Sequence, residues 1–165
     1  MIDPGLLDQI YETAAFPERL PSLLQDIADR HGARGALLFH SPKGGSAISI
    51  SPGAEHLLER YIGEGYMQTN ERGSPLFDEH APCFRTDSDF RTLKEQEAMP
   101  VYRDLLIPTG FAIGAGTVIQ GTNDDAIALT LEGFASEAAV RRQLPFSTCY
   151  ARTSRAPPAS LSGCA

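Results

Sequence analysis

The sequence predicts a single α+β domain built on an antiparallel β-sheet with helices on one face. Strand-like segments come in two adjacent pairs, 33–41 with 46–52 and 110–121 with 126–133, and turn residues separate the members of each pair. Adjacent strands joined by a short turn are antiparallel, whereas parallel strands need a long crossover. Two amphipathic segments open the chain, so the sequence also predicts an N-terminal helical pair.

The two N-terminal segments each have a helical period of apolar residues. Residues 6–16 follow Asp3-Pro4, which is typical of a helix start, because Asp caps the first turn and Pro fits within it. Residues 17–32 repeat the pattern and end in Arg-His-Gly, which is typical of a helix stop. Both segments are therefore predicted to be helices.

In the middle of the chain, segments with a helical pattern alternate with segments that have no regular pattern. Residues 54–68 have a helical pattern, and residues 69–82 are polar with scattered Gly and Pro, which favours a long loop over the pocket side. A short strand is predicted at 83–86. Residues 92–108 predict two helical pieces broken at Pro100, followed by a turn at Thr109-Gly110.

Composition excludes several function classes. The 165 residues are 42% apolar, 21% charged and carry a net charge of −7, as in a soluble globular protein without the basic face that DNA requires. No apolar run approaches the ~20 residues of a membrane span, and the acidic N-terminus does not predict a signal peptide. The three cysteines form no C-x-x-C pair, so we expect no metal, no cofactor and a cytoplasmic location.

The glycine-spaced segment 110–121, GFAIGAGTVIQG, does not match a dinucleotide-binding fingerprint. That fingerprint needs a strand before its glycines and a helix after them, and here the order is inverted. Gly114 and Gly116 are predicted to share one face of a strand, where glycine lets a ligand or another side chain approach closely. Two alternatives remain: the glycines form a pocket floor, or they accommodate packing under a helix.

The order of these elements, together with two motifs, resembles the N-terminal sensor domain of LuxR-type helix-turn-helix transcription regulators. The motifs are the opening LLDQIYETAAFPERLPSLLQDIADRHGARGALLF and the piece YRDLLIPTG at 102–110, which a hairpin follows. The resemblance spans about residues 5–145. It implies a PAS/GAF-like fold that senses a small molecule and is not an enzyme, here without the DNA-binding domain that follows such sensors.

The resemblance also implies a pocket between the sheet and the middle helices. Pockets of this kind are mostly apolar with a few placed polar groups, and plain core packing is the alternative for each residue. The candidate ligand-binding residues are Phe39, Tyr61, Tyr66, Phe84, Tyr102, Phe111 and Gly114. The chain has no Trp, which makes an acyl-homoserine-lactone ligand doubtful.

Sensors of this kind commonly dimerise, and we expect a homodimer. The apolar faces at Leu6/Ile10 and Leu23/Ile27 are the expected contact with a second copy. Two other functions stay open: a small enzyme that uses a loop with His80 and Cys83, which requires an accessible Cys thiolate, and a dimerisation module without a pocket.

The C-terminal tail differs from the rest of the chain. Residues 146–165 lack periodicity and contain Pro157-Pro158 but no acidic residue, so we separate this tail from the sensor domain at 1–145. Codons that encode the residues from Ser147 onward can, when read in a shifted frame, encode a helix-forming sequence. This observation leads to the hypothesis of a frameshift near 145–147. A natural disordered tail is the alternative.

Overall fold

The computed structural model describes residues 4–41, 47–69, 72–79, 83–120 and 125–144. Its centre is a five-stranded sheet in the spatial order β2-β1-β5-β4-β3, in which all neighbours are antiparallel. The strands are β1 Gly35–Ser41, β2 Ala47–Ile50, β3 Arg85–Thr86, β4 Gly114–Gln120 and β5 Ala126–Glu132. The α+β class and both sequence-predicted hairpins, β1–β2 and β4–β5, are confirmed.

Eight α-helices surround this sheet in the described part of the chain. They are α1 Pro4–Ala15, α2 Leu20–Arg30, α3 Glu55–Gly63, α4 Tyr66–Thr69, α5 Ser74–Glu79, α6 Leu93–Ala98, α7 Ile107–Thr109 and α8 Glu137–Gln143. The predicted N-terminal helical pair is thus α1 and α2, and Gln9 Nε2 of α1 donates a hydrogen bond to Asp26 Oδ2 of α2 at 2.9 Å.

One side of the sheet packs against α2 and α8, and we call it the sealed face. Its strand residues are Ala36, Leu38, Ala115, Leu129 and Leu131. Leu24 and Ala28 of α2 and Val140 of α8 lie against them and are almost fully buried. Each leucine buried in this way contributes about 1.5–3 kcal/mol to folding.

The opposite side of the sheet, which we call the cavity face, is covered by the helices between β2 and β4. Its strand residues are Leu37, Phe39, Gly114, Gly116, Ala128, Thr130 and Glu132. The prediction of helices on one face is therefore wrong, since helices cover both. The physical reason is visible in β1, whose Ala36 and Leu37 are buried on opposite faces, so both faces need cover.

The predicted long loop at 69–82 is also wrong in part, because α5 forms within it at Ser74–Glu79. Leu76 of this helix lies against β4, close to Gly116. His80, the turns of both hairpins and the tail 146–165 lie outside the described residues.

The segment around Pro100 forms two helical pieces, as predicted, but the second is a π-helix at Val101–Leu106. It continues into α7, which ends at Gly110 with a φ of 77°. That left-handed conformation costs glycine little, which explains the Thr109-Gly110 stop. The π-helix buries Val101, Tyr102, Leu105 and Leu106.

Candidate functional site

A cavity of about 470 Å³ lies between the cavity face and the helices that cover it. This volume is in the range of small-molecule sites in proteins. Apolar side chains provide most of the wall: Leu37 and Phe39 from β1, Leu57, Leu58 and Tyr61 from α3, Leu76 and Phe77 from α5, and Leu106 from the π-helix. The cavity is therefore suited to a ligand with an apolar body.

Charged side chains form a cluster in the same wall. Arg72 Nη2 contacts Asp87 Oδ2 at 2.8 Å and Glu132 Oε2 at 2.9 Å, so one guanidinium bridges two carboxylates. Further hydrogen bonds run from Arg72 Nε to Asp87 Oδ2 and from Arg72 Nη1 to Glu132 Oε1. The side chains are 16%, 14% and 5% exposed for Arg72, Asp87 and Glu132, respectively.

Burial and charge act in opposite directions in this cluster. Burial opposes the positive charge of Arg72, but the two carboxylates outweigh it and raise the pKa of the guanidinium above its usual range. Burial raises the pKa of Glu132, while the charge and hydrogen bonds of Arg72 partly offset that rise. Arg72 thus stays charged, and removing it would leave two carboxylates buried without their cation.

Tyr102 connects the cluster to the π-helix. Its ring is 1% exposed, and its hydroxyl accepts a hydrogen bond from Arg72 Nε at 3.1 Å. Burial is the main cause that raises the pKa of this phenol, so the hydroxyl is neutral. The geometry holds Arg72 between the sheet, through Glu132, and the π-helix, through Tyr102.

Two glycines on β4 face the polar side chains of β5. Gly114 pairs with Glu132 and Gly116 with Thr130. A Cβ added at Gly114 would overlap Glu132 Oε2 and lie 2.7 Å from Arg72 Nη2, and one at Gly116 would lie 2.6 Å from Leu76 Cδ2. The glycines thus leave room both for the ion cluster and for α5, and both also line the cavity.

Thr130 has an unusual environment on the same face. It lines the cavity beside Glu132, and its hydroxyl favours the charged form of that carboxylate. Thr130 Oγ1 itself is buried, so the hydroxyl acts on Glu132 from beneath the surface of the cavity wall.

Three of the sequence-predicted site residues line the cavity: Phe39, Tyr61 and Gly114. Tyr102 lies behind the wall and reaches it through Arg72. Tyr66 packs against Tyr61, with ring centroids 5.9 Å apart, and its hydroxyl donates to the carbonyl of Pro100 at 3.5 Å. Tyr66 therefore supports the cavity wall from behind and is not one of the residues that line the cavity.

Phe84 and Phe111 do not line the cavity. Phe84 packs against the sealed-face core, because it precedes β3 on the side away from the cavity. Phe111 is buried beneath Arg34, whose guanidinium carbon lies 4.3 Å from the ring centroid. Arg34 also donates to the carbonyl of Thr109 at 2.7 Å, so Phe111 belongs to the packing of the turn after α7.

Sequence reasoning missed the charged cluster. Thr130 and Glu132 alternate with apolar residues in β5, a pattern typical of a strand with one solvent-exposed face. The available signal was the apolar first part of the neighbouring β1, GALLF, which is typical of a strand buried on both sides. Arg72 lies in the segment interpreted as an open loop, so nothing local pointed to its partners.

The proposed His80/Cys83 loop does not have the exposure that a catalytic thiolate needs. Cys83 is buried, 6% exposed, and its sulfur takes part in a disulfide bond. Within the described ranges, no group of three or more His, Cys, Asp or Glu residues could hold a metal ion. Among the helices of these same ranges, none has the length and apolarity needed to cross a bilayer.

No protein-family model matches this sequence, and no curated protein is significantly similar to it. Solved structures do share its fold. The N-acylhomoserine lactone dependent LuxR family transcription factor CepR2 from Burkholderia cenocepacia is 13% identical, with a TM-score of 0.56 over 85% of this chain and 87% of that one.

Two further structures give the same result. The LBD domain of VqsR from Pseudomonas aeruginosa is 13% identical, with a TM-score of 0.54 over 85% of this chain and 87% of that one. SdiA in complex with octanoyl-rac-glycerol is 12% identical, with a TM-score of 0.52 over 83% of this chain and 58% of that one. At these identities the likeness concerns the fold: this chain folds like the ligand-binding domains of LuxR-type regulators.

Proposed function

We propose that this chain is the small-molecule-sensing domain of a LuxR-type transcription regulator and not an enzyme. The observation that carries the proposal is the cavity, which combines apolar walls with a buried charged cluster in a fold shared with regulator ligand-binding domains. A pocketless dimerisation module would have a filled interior at this position. The buried Cys83 removes the support for a thiol enzyme.

A ligand in the cavity would contact several structural elements at once. It would touch α3, α5, the π-helix and the cavity face together. A sensor needs a ligand that binds one arrangement of these elements more tightly than another. Burying the apolar wall would supply that preference, because each covered Å² stabilises the closed arrangement.

Binding of 1-octanol, measured by titration calorimetry, tests the proposal. We expect saturable binding that Ala128→Phe weakens strongly, because Ala128 lines the cavity and a phenyl ring there fills it. Ile127→Phe is the matched control, since Ile127 is the preceding residue, points to the other side of β5 and is 42% exposed. Absence of saturable binding, or equal binding by both variants, would contradict the proposal.

We also propose a homodimer that uses α1. No residue of α1 is buried, and Leu7, Ile10 and Tyr11 are exposed. The predicted Leu23/Ile27 face is used inside the chain, because Leu23 is buried and Ile27 packs against the sealed-face core. Light scattering after size exclusion should give a dimer for the native chain and for Ile62→Glu, and a monomer for Ile10→Glu.

We expect no sequence-specific DNA binding by this chain by itself. Its net charge of −7 opposes the counterion release that drives association with phosphates. A salt-sensitive gel shift at physiological ionic strength would contradict this.

A further inference from the structure

Charged side chains join the two faces of the sheet around its β3 edge. A 3₁₀ turn at Asp87–Asp89, which we call the edge turn, directly follows β3. Asp87 lines the cavity, and its Oδ2 lies 2.8 Å from Arg72 Nη2. Asp89 Oδ1 accepts a hydrogen bond at 3.0 Å from Arg141 Nη2 of α8, the helix that packs on the sealed face. One turn of three residues thus contacts both the cavity wall and the last helix of the described chain.

Hydrogen bonds hold the edge turn in one conformation. The backbone N–H and the hydroxyl of Thr86 both donate to Asp89 Oδ2, at 2.8 and 3.2 Å. Thr86 is 1% exposed and the side chain of Asp89 is 2% exposed. The backbone N–H groups of Phe90 and Arg91 both donate to the carbonyl of Asp87. Breaking such buried bonds is costly, so a shift of Asp89 carries Asp87 with it.

Arg72 is bound to the edge turn and to the residues that follow it. Its guanidinium contacts Asp87, and its carbonyl accepts a hydrogen bond from Arg91 Nη1 at 3.1 Å. Arg72 lies two residues before α5, whose Leu76 and Phe77 line the cavity. A continuous series of contacts therefore runs from α8 through the edge turn and Arg72 to the α5 part of the wall.

We propose that the edge turn couples occupancy of the cavity to the docking of α8 on the sealed face. Thr86 and Asp87 line the cavity, so a ligand binds more tightly to the arrangement in which the turn is in place. The Asp89–Arg141 pair extends the same preference to α8. Such coupling is reciprocal, so weakening this pair lowers ligand affinity. The inference rests on the proposed function and names the route by which binding reaches α8.

Arg141→Met and Arg142→Met are the matched variants that test the coupling. The two arginines are neighbours on α8, both are exposed, and the first forms the ion pair with Asp89. Methionine keeps an apolar side chain without the charge. Hydrogen–deuterium exchange of the ligand-free protein gives the first readout. We expect Arg141→Met to speed amide exchange in α5, on the opposite face of the sheet, about fivefold, and Arg142→Met to leave it unchanged.

The exposed helix α1 is the internal control for these measurements. It has no buried residue and exchanges by local opening, so its exchange should be the same in the native chain and both variants. Equal α5 exchange in the native chain and Arg141→Met would overturn the coupling. Faster exchange of α1 and α5 together would also overturn it, because the loss would then be general.

Saturating 1-octanol gives the second readout. It should slow exchange in α8 about fivefold in the native chain and in Arg142→Met, and much less in Arg141→Met, with α1 unchanged throughout. Titration calorimetry should show a lower 1-octanol affinity for Arg141→Met by a similar factor, as reciprocity requires. Equal affinity of the two variants would overturn the coupling.

The outcomes separate the two proposals. Saturable binding of 1-octanol that leaves α8 exchange unchanged overturns the coupling and leaves the sensing function standing. Absence of binding overturns the proposed function. In that case the α5 exchange of ligand-free Arg141→Met still decides whether the edge turn connects the two faces, because this measurement needs no ligand.

Discussion

The two faces of the sheet are made by the same strands but are built differently. The sealed face carries alanine and leucine packed against α2 and α8, and none of its residues bears a charge. The cavity face carries two glycines, a threonine and a glutamate, and a cavity lies between this face and the helices that cover it. The same strands can pack closely on one face and place polar residues beside a cavity on the other, because neighbouring residues of a strand point to opposite sides of the sheet.

The contrast separates the face of the sheet that close packing fills from the face that leaves a cavity. Close packing on the sealed face provides the hydrophobic contribution to folding stability. A change of side-chain volume there therefore changes the stability directly. On the cavity face Arg72 holds the carboxylate of Glu132, and part of the volume next to the strands is not filled by side chains. The same substitution should therefore destabilise the protein by different amounts on the two sides.

The largest expected effect comes from Arg72→Met. It leaves Asp87 and Glu132 buried without their cation and should reduce the free energy of unfolding by about 3–5 kcal/mol. The matched control is Arg60→Met, which breaks the more exposed Arg60–Glu64 pair on α3 and should cost about 0.2–1 kcal/mol. Urea unfolding measures both. Similar losses would show that the cluster is solvated like a surface pair.

A smaller effect is expected from adding the same volume to each face. Ala36 and Ala128 are both almost fully buried, but Ala36 lies on the sealed face and Ala128 on the cavity face. Ala36→Leu should destabilise by roughly 1–3 kcal/mol through overpacking, and Ala128→Leu by clearly less, because its side chain enters the cavity. Equal melting temperatures for the two variants would remove the distinction between the faces.

The smallest effect distinguishes the two glycines of β4. Gly114→Ala should cost about 2 kcal/mol, because its methyl group would displace the Arg72–Glu132 pair. Gly116→Ala should cost less, since the atom it meets is the end of the flexible Leu76 side chain. Chemical unfolding of both variants gives the comparison, and the reverse order would show that α5 is the more rigid neighbour.

Much of the fold was predictable from local sequence patterns. Helical spacing identified α1 and α2, and turn residues between β-branched runs identified both hairpins, because these signals depend only on neighbouring residues. Local patterns did not indicate whether helices cover one face of the sheet or both. This depends on which strand faces are buried, and the doubly apolar β1 was the only local indication.

The site was less predictable, because its key groups come from distant segments. Arg72, Asp87 and Glu132 meet only in the folded chain. Aromatic content identified Phe39 and Tyr61 in the lining but also selected Phe84 and Phe111, which pack elsewhere. The PAS/GAF-like relationship, the division into a sensor domain at 1–145 and a tail at 146–165, and the frameshift stay predictions.

The strand order has a consequence for how the chain acquires its shape. The central partners β1 and β5 are separated by roughly 90 residues, so their pairing must close a long loop before the sheet is continuous. Every helix above the cavity belongs to that one loop, between the two hairpins. The hairpins and terminal helices can thus form a common frame, and the intervening segment, which provides the helical wall of the cavity, is the part of the fold that the sheet constrains least.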